Sequence, residues 1–371
     1  METTKKIIIY QVFTRLFGNQ NKTCQPDGDI ETNGCGKMND FTKQALHEIK
    51  KLGATHIWYT GLLAHASQTD YTAYGIPKNH PSIVKGKAGS PYAIRDYYDV
   101  DPDLAEHVDK RMEEFEELVK RTHECGLKMI IDFVPNHVAR QYHSIAKPQG
   151  VKDLGENDDC TQAFNPQNNF YYIPGQKLEG EIDFYNPAMG TYEEMPAKAT
   201  GNDRFDPWPN RNDWYETVKL NYGVDYINHT GGHFDPIPDT WYKMEQILSY
   251  WAEKGIDGFR CDMAEMVPCE FWGWVIPRIK AAYPNIIFIA EVYNPNEYRN
   301  YIHNGHFDYL YDKVGLYDTL RNITCDYASA TGITHCWQSV DDIQDHMLNF
   351  LENHDEQRIA SGFFAEDPFK A

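Results

Sequence analysis

Positive charge is scarce in this chain of 371 residues. It has 35 lysines and arginines but 55 aspartates and glutamates, so the net charge is −20. A surface with that charge repels phosphate backbones, and no cluster of basic residues interrupts it, so nucleic acid is not an expected partner. Long apolar runs are also missing, because no stretch approaches the roughly 20 residues that a membrane-spanning helix needs. We therefore expect no membrane attachment.

The chain also lacks the patterns of a secretory signal peptide and of a disulfide framework. The apolar run that starts at Ile7 is broken by Gln11, Thr14 and Arg15, whereas a signal peptide needs a longer apolar core. We therefore expect a cytoplasmic protein. The eight cysteines are scattered, with no C-x-x-C pair, and this pattern favours free thiols.

Seven strand-like runs alternate with helical patterns along the chain. Each run is apolar through its body, which is typical of a parallel sheet that is buried on both faces. The runs are KKIIIYQVF, THIWYTGL, KMIIDFV, IDGFRCD, IIFIAEV, HFDYLYD and MLNFLENHD. The alternation fits either a doubly wound open sheet or a closed β/α barrel.

Polar residues at the carboxyl ends of these strands favour the barrel. They are Asp132, Arg260, Asp262, Glu291, His354 and Asp355. In a closed barrel the strand ends converge on one mouth, where active sites are built, whereas an open sheet spreads them along an edge. We therefore predict a (β/α)8 TIM barrel.

A long segment interrupts the alternation after the third strand. Residues 138–228 are rich in Asn, Asp, Gly, Pro, Tyr and Trp, and a structureless loop of that length is rare in a compact domain. We predict an inserted subdomain of irregular β structure between two parts of the barrel, residues 1–137 and 229–371. The chain ends soon after the seventh strand, so we expect a barrel that is truncated there.

Two carboxylates at adjacent strand ends indicate acid/base chemistry. Asp262 ends the fourth strand and Glu291 the fifth, and neighbouring strands lie about 4.8 Å apart. A pair of carboxyl groups about 5–5.5 Å apart suits a retaining glycosidase, with one as nucleophile and the other as acid/base. Arg260 would keep Asp262 ionised, while the apolar setting of Glu291 would raise its pKa and suit it to donate a proton.

Two further strand ends carry residues that suit a sugar ligand. After the seventh strand, Asp355 would stabilise positive charge on a sugar ring and His354 would bond sugar hydroxyls. The third strand ends in Asn136 and His137. As isolated pairs such residues are usually ordinary loop residues, but their position at a strand end places them at the predicted mouth.

Four motifs carry a family resemblance. DFVPNH, GFRCD, IAEVYN and FLENHD, in this order and spacing, resemble the signature regions of glycoside hydrolase family 13, the α-amylase family. The segment SPYAIRDYYDVDPDL resembles the family loop that carries a stacking tyrosine, here Tyr92. The resemblance spans roughly residues 7–358. The family usually adds a β-sandwich after the barrel, and we expect none in this chain.

The resemblance implies a role for each matching residue. It implies Asp262 as the nucleophile, Glu291 as the acid/base and Asp355 as the stabiliser of the transition state. Four residues would surround the sugar at the cleavage point, namely Tyr92, His137, Arg260 and His354. The implied reaction is retaining hydrolysis or transfer at an α-glucosidic bond, through a covalent glucosyl-aspartate intermediate.

The chain departs from the family pattern in places that bear on substrate and metal. Many members have a Lys-His pair three and four residues after the nucleophile, where this chain has Glu265 and Met266. The resemblance also implies a structural calcium site, with Asn136 as one ligand and Asp225 as a candidate to complete an oxygen cage. The motif GVDYIN, residues 223–228, matches no common family version, so linkage preference stays open.

We therefore predict a retaining glycoside hydrolase that cleaves α-glucosidic bonds of starch-type glucans or maltooligosaccharides. A transglycosylase or phosphorylase of the same family would use the same three carboxylates. A non-catalytic glucan-binding protein is a third possibility, although degenerate members lose one or more of the carboxylates that this chain keeps. An oligosaccharide or polysaccharide is the expected partner.

Overall fold

The computed structural model describes residues 6–365 and 367. The chain divides into two compact units, of which the first ends at Asp257 and the second begins at Gly258. Two predictions extend beyond the described residues. The predicted first strand begins at Lys5, and the predicted barrel ranges 1–137 and 229–371 begin and end outside them, respectively. All eight cysteines are free. In the part of the chain that is described, no helix is long and apolar enough to cross a bilayer.

The first unit is built on three parallel strands, in the order β1, β2, β5. Its strands are β1 Ile9–Phe13, β2 His56–Thr60, β3 Leu63–His65, β4 Ile94–Val100, β5 Lys128–Phe133, β6 His137–Ala139, β7 Tyr172–Ile173, β8 Tyr185–Asn186, β9 Gly190–Thr191, β10 Ala197–Lys198, β11 Thr217–Lys219, β12 Val224–Asp225 and β13 Gly231–Gly232. Its helices are α1 Ile30–Asn33, α2 Lys43–Lys51, α3 Arg111–Glu124 and α4 Asp239–Glu253.

Local sequence explains why the helices form between these strands. The Thr42 hydroxyl accepts a hydrogen bond from the Ala45 N–H and so caps α2, while Leu46 and Ile49 are buried one turn apart. Gly53 then takes φ +92°, the left-handed conformation that commonly ends a helix. Every residue of β2 is buried, as expected for a strand that is covered on both faces.

The segment after β5 contains short antiparallel pairs. The pairs are β6 with β11, β7 with β10, β8 with β9 and β12 with β13. A further antiparallel pair, β3 with β4, lies between β2 and α3. The inserted irregular β structure after the third barrel strand is therefore present, whereas its exact boundaries stay a prediction.

The second unit has four parallel strands, in the order β14, β15, β16, β17. The strands are β14 Gly258–Cys261, β15 Ile287–Ala290, β16 Tyr309–Tyr311 and β17 Met347–Leu348. The helices are α5 Cys269–Ala282, α6 Tyr298–His303, α7 Asp318–Thr324, α8 Gly332–Ser339 and α9 Gly362–Ala365, with a π-helical turn at Lys313–Tyr317 before α7.

The last strand is shorter than the apolar pattern indicates. We predicted a strand through Asp355, but β17 ends at Leu348. Side chains bind the backbone in the following segment: the Asn353 amide oxygen accepts from the Asp355 and Glu356 N–H groups, and the Glu352 carboxylate accepts from the Ile359 N–H. Such local bonds compete with a strand ladder, so His354 and Asp355 lie on a loop.

Candidate active site

Arg260 is the centre of the candidate site in the second unit. It lies on β14, whose four residues are all buried, and only 1% of its side chain is exposed. One guanidinium nitrogen lies 2.8 Å from the Asp262 carboxylate, and another lies 2.9 Å from the Glu291 carboxylate. Its Nε donates to the Tyr311 hydroxyl at 3.1 Å. One cation therefore holds the predicted nucleophile and the predicted acid/base, as buried carboxylates require.

The strand register explains why the two carboxylates meet. Cys261 on β14 is opposite Ala290 on β15, so Asp262 and Glu291 each follow directly after paired residues. The Glu291 N–H donates to the Cys261 carbonyl at 3.2 Å, which extends the ladder by one step. The prediction that adjacent strand ends bring these two residues together is confirmed by this geometry.

Met263, which follows the predicted nucleophile, has an unusual backbone. Its φ and ψ are 45° and 42°, the left-handed region that a residue with a long side chain rarely adopts. This conformation directs its N–H to the Glu291 Oε2 at 2.8 Å. Strained backbone of this kind concentrates at functional sites, and here it supplies a hydrogen bond to Glu291, the predicted acid/base.

Glu291 carries a pKa below its usual range, so the predicted rise is wrong. Burial does raise the pKa, but the Arg260 charge, the Tyr293 hydroxyl and the Met263 N–H together lower it by more. The Tyr293 hydroxyl donates to Glu291 Oε1 at 2.6 Å. The apolar residues around Glu291 indicated desolvation correctly, but Arg260 and Met263 reach it from the neighbouring strand end, which the composition around Glu291 does not describe.

Glu265, which stands where many family members have lysine, binds the loop after β15. Its Oε2 accepts hydrogen bonds from the backbone N–H groups of Tyr293 and Asn294, each at 3.1 Å. A lysine could not accept these bonds, because an ammonium is a donor only. This departure from the family pattern therefore helps to place the tyrosine that contacts Glu291.

His354 and Asp355 lie in the electrostatic field of the same cluster. Burial and the Glu291 charge raise the pKa of Asp355 to about 6, while Arg260 opposes the rise. Burial and the Arg260 charge lower the pKa of His354 to about 4, so its ring is neutral at pH 7. The His354 Nε2 lies 3.1 Å from the Asp355 Oδ2. A neutral imidazole of this kind can both donate and accept hydrogen bonds.

Tyr92 and His137 are neighbours in the first unit. His137 is buried on β6, hydrogen-bonds the Tyr92 backbone, and lies with its ring centroid 5.2 Å from that of Trp214. Burial and the Lys219 charge lower its pKa to about 3, so this ring is also neutral. Their contact with substrate stays a prediction.

The two residues predicted as calcium ligands have different partners. The Asn136 side-chain oxygen accepts from the Lys219 ammonium, and its amide donates to the Gly201 carbonyl at 2.8 Å. The Asp225 carboxylate closes its own turn by accepting from the Ile227 and Asn228 N–H groups at 3.0 and 2.8 Å. Because the Asn136 oxygen lies against a buried ammonium, whose positive charge would repel a calcium ion, these residues do not fit the predicted oxygen cage.

Sequence reasoning missed several of these residues. Tyr293 lies two positions after Glu291 in IAEVYN, so a period of two could have placed both on one side of an extended segment. Tyr311 ends β16, and the strand-end argument applied to the other strands would have found it. Lys219 gave no local signal, because its partner Asn136 is 83 residues away.

Comparison with known proteins places this geometry in a family. The family model described as alpha amylase, catalytic domain, matches residues 11–370. Alpha-amylase 3 of Dictyoglomus thermophilum is 24% identical over 302 residues, which cover 80% of this chain and 45% of that protein. An alpha-1,4-glucan:maltose-1-phosphate maltosyltransferase of Cereibacter sphaeroides is 27% identical over 168 residues, 38% of this chain and 25% of that protein. The chain thus spans less than half the length of either relative.

A solved structure gives the same fold. The cyclic alpha-maltosyl-(1→6)-maltose hydrolase of Arthrobacter globiformis superposes with a TM-score of 0.63 at 18% identity, over 97% of this chain and 68% of that one. The predicted (β/α)8 barrel with an insertion after its third strand is therefore confirmed. Within residues 6–365 and 367 it has three barrel strands in the first unit and four in the second, with no eighth strand and no C-terminal β-sandwich. The chain belongs to the α-amylase family, as the match to its catalytic domain over nearly the whole sequence shows.

Proposed function

We propose that this protein is a retaining glycoside hydrolase that cleaves α-glucosidic bonds of starch-type glucans or maltooligosaccharides. The observation that carries the proposal is the arrangement around Arg260, whose guanidinium contacts both Asp262 and Glu291. A retaining enzyme needs one carboxylate as nucleophile and a second as acid/base, close to each other. Family membership supports action on α-glucans.

In the first step, a carboxylate oxygen of Asp262 attacks the anomeric carbon. The bond to the leaving oxygen breaks, and Glu291 in its protonated form gives that oxygen a proton. The sugar is now an ester of Asp262. Arg260 keeps the attacking carboxylate ionised and oriented, since a cation at 2.8 Å favours the charged form.

In the second step, ionised Glu291 takes a proton from water, and the resulting hydroxide displaces Asp262 from the anomeric carbon. In the free site the lowered pKa of Glu291 favours the ionised form, so the first step draws on the smaller protonated fraction. Asp355, when ionised, stabilises the positive charge that develops on the sugar ring in both steps. Neutral His354 is suited to bond sugar hydroxyls.

The test is product analysis with the full-length protein on maltoheptaose, pullulan, isomaltose and sucrose. Proton NMR during early turnover should show the α-anomer of the new reducing end first, because two displacements retain configuration. Initial release of the β-anomer would contradict Asp262 as nucleophile. Absence of turnover on all four substrates, with binding retained, would favour the non-catalytic alternative.

Transfer to an acceptor other than water is a second candidate. Glu265 and Met266 replace the Lys-His pair that the family resemblance places on the leaving-group side, and one relative is named as a maltosyltransferase. Adding maltose to the reaction distinguishes the two outcomes. Longer oligosaccharides in excess of hydrolysis products would support a transferase, whereas glucose and short maltooligosaccharides alone would support a hydrolase.

A further inference from the structure

Lys219 is a buried cation whose role the reaction does not explain. It is the last residue of β11, pairs with His137 on β6, and leaves only 2% of its side chain exposed. Its ammonium lies 2.7 Å from the Asp203 Oδ1 and contacts the Asn136 side-chain oxygen. The Tyr226 ring centroid is 5.8 Å away. Burying an ammonium costs free energy unless the group is paired and hydrogen-bonded. These partners therefore form a specific binding site for the positive charge of Lys219.

The ammonium joins three segments that are distant in sequence. Asn136 follows β5, and its amide also donates to the Gly201 carbonyl. Asp203 lies in the turn after Gly201 and holds a left-handed φ of 61°, a conformation that aspartate tolerates better than most residues. The Lys219 N–H donates to the Ala199 carbonyl at 2.9 Å. Lys219 therefore links the end of β5, the turn at Asp203 and the end of β11 through contacts to its ammonium and its backbone.

A calcium ion and an ammonium select similar oxygen partners by different means. Calcium gathers six to eight oxygens, often including carboxylate and amide oxygens, whereas an ammonium offers three N–H donors. At this site the Asn136 oxygen and the Asp203 carboxylate are both bound to Lys219. A divalent cation there would meet a positive charge in a buried setting and would have to displace it.

We infer that Lys219 is the resident cation of this site and takes the place of calcium in holding the end of β5 against the inserted segment. The protein should therefore be stable without calcium. This inference concerns folding and does not depend on the proposed activity.

The experiment measures the melting temperature of the full-length protein after dialysis against EDTA, with and without added calcium chloride. We expect no shift in either direction for the wild type, and no heat of calcium binding in calorimetry. A rise of several degrees with calcium, or a fall with EDTA, would overturn the inference.

Substitutions separate the charge from the packing of the side chain. K219M keeps much of the apolar stem and removes the charge, and we expect its melting temperature to fall by several degrees because buried oxygens lose their partner. K177A is the matched control, since Lys177 pairs with Glu193 at 2.6 Å on the exposed surface of the same inserted segment, and such pairs contribute little. A K219M protein as stable as K177A would contradict the inference.

If K219M fails to fold, D203N provides the second test. The Asp203 side chain is 41% exposed, so its substitution is milder. We expect a smaller fall in melting temperature that calcium does not reverse. A melting temperature equal to the wild type, or restoration by calcium, would count against Lys219 as the resident cation.

Discussion

Replacing Tyr293 by phenylalanine would remove one hydrogen-bond donor from Glu291, the predicted acid/base, and leave the aromatic ring in place. In the wild type this hydroxyl donates to Glu291 Oε1 at 2.6 Å, while Oε2 receives the Met263 N–H and contacts Arg260. The hydroxyl bond favours the ionised carboxylate, so it lowers the pKa of Glu291. Its loss should raise that pKa.

The size of the effect follows from the strength of the bond. A hydrogen bond to a charged group contributes about 1.5–3 kcal/mol, and Tyr293 is half-buried, so the lower end applies. About 1.4 kcal/mol is a tenfold change in the ratio of ionised to protonated Glu291. We therefore expect the Glu291 titration to move to higher pH by about one pH unit in Y293F.

The assay is a carbon-13 NMR titration of the protein labelled at glutamate carboxyl carbons, with the Glu291 signal assigned by its loss in E291Q. Y185F is the control, because Tyr185 lies on the surface with 60% of the residue exposed. A Glu291 titration that stays in place, or that moves to lower pH, would refute the reasoning.

The melting temperature of Y293F provides a second measurement, because its difference from the wild type should depend on pH in a definite direction. The folded pKa of Glu291 is depressed, so its contribution to stability is present above the unfolded pKa and is lost as pH falls through the folded pKa. Y293F should therefore melt at a lower temperature than the wild type at pH 7, with a smaller difference in acid. A larger difference in acid would contradict the assigned direction.

Three further predictions use the same cluster. D262N should abolish turnover of maltooligosaccharides and leave binding largely intact, with D342N on an exposed ion pair as control; activity within tenfold of the wild type would contradict the nucleophile assignment. D355N should lose activity but melt at a higher temperature at pH 7.5, because the raised pKa of Asp355, about 6, makes its ionised form cost stability above that pH; an equal melting gain at pH 4 would count against this cause. E265A should lower the free energy of unfolding by about 1–3 kcal/mol, because both loop N–H groups lose their acceptor, and it should also lower activity. E265Q keeps an acceptor oxygen and should lose less of both. Equal losses in the two variants would show that the acceptor is not the reason.

Several features of the fold could be predicted because their causes are local. Apolar runs bounded by polar residues indicated the parallel strands. The carboxyl ends of parallel strands share one edge, so strand order alone brought Asp262 and Glu291 together. The same reasoning failed for β17, because side chains of the loop bind the backbone and end the strand at Leu348.

The sequence by itself determined the family, the alternation of strands and helices, and the identity of the carboxylates at the strand ends, since each is written in short motifs or in a regular period. Only the tertiary structure decided the direction in which the pKa of Glu291 shifts, because Arg260, Met263 and Tyr293 together outweigh the effect of burial. It also decided that the Asn136 oxygen binds the Lys219 ammonium, since 83 residues separate the two. Electrostatic energy depends on distance and burial, and neither can be read from the order of residues along the chain.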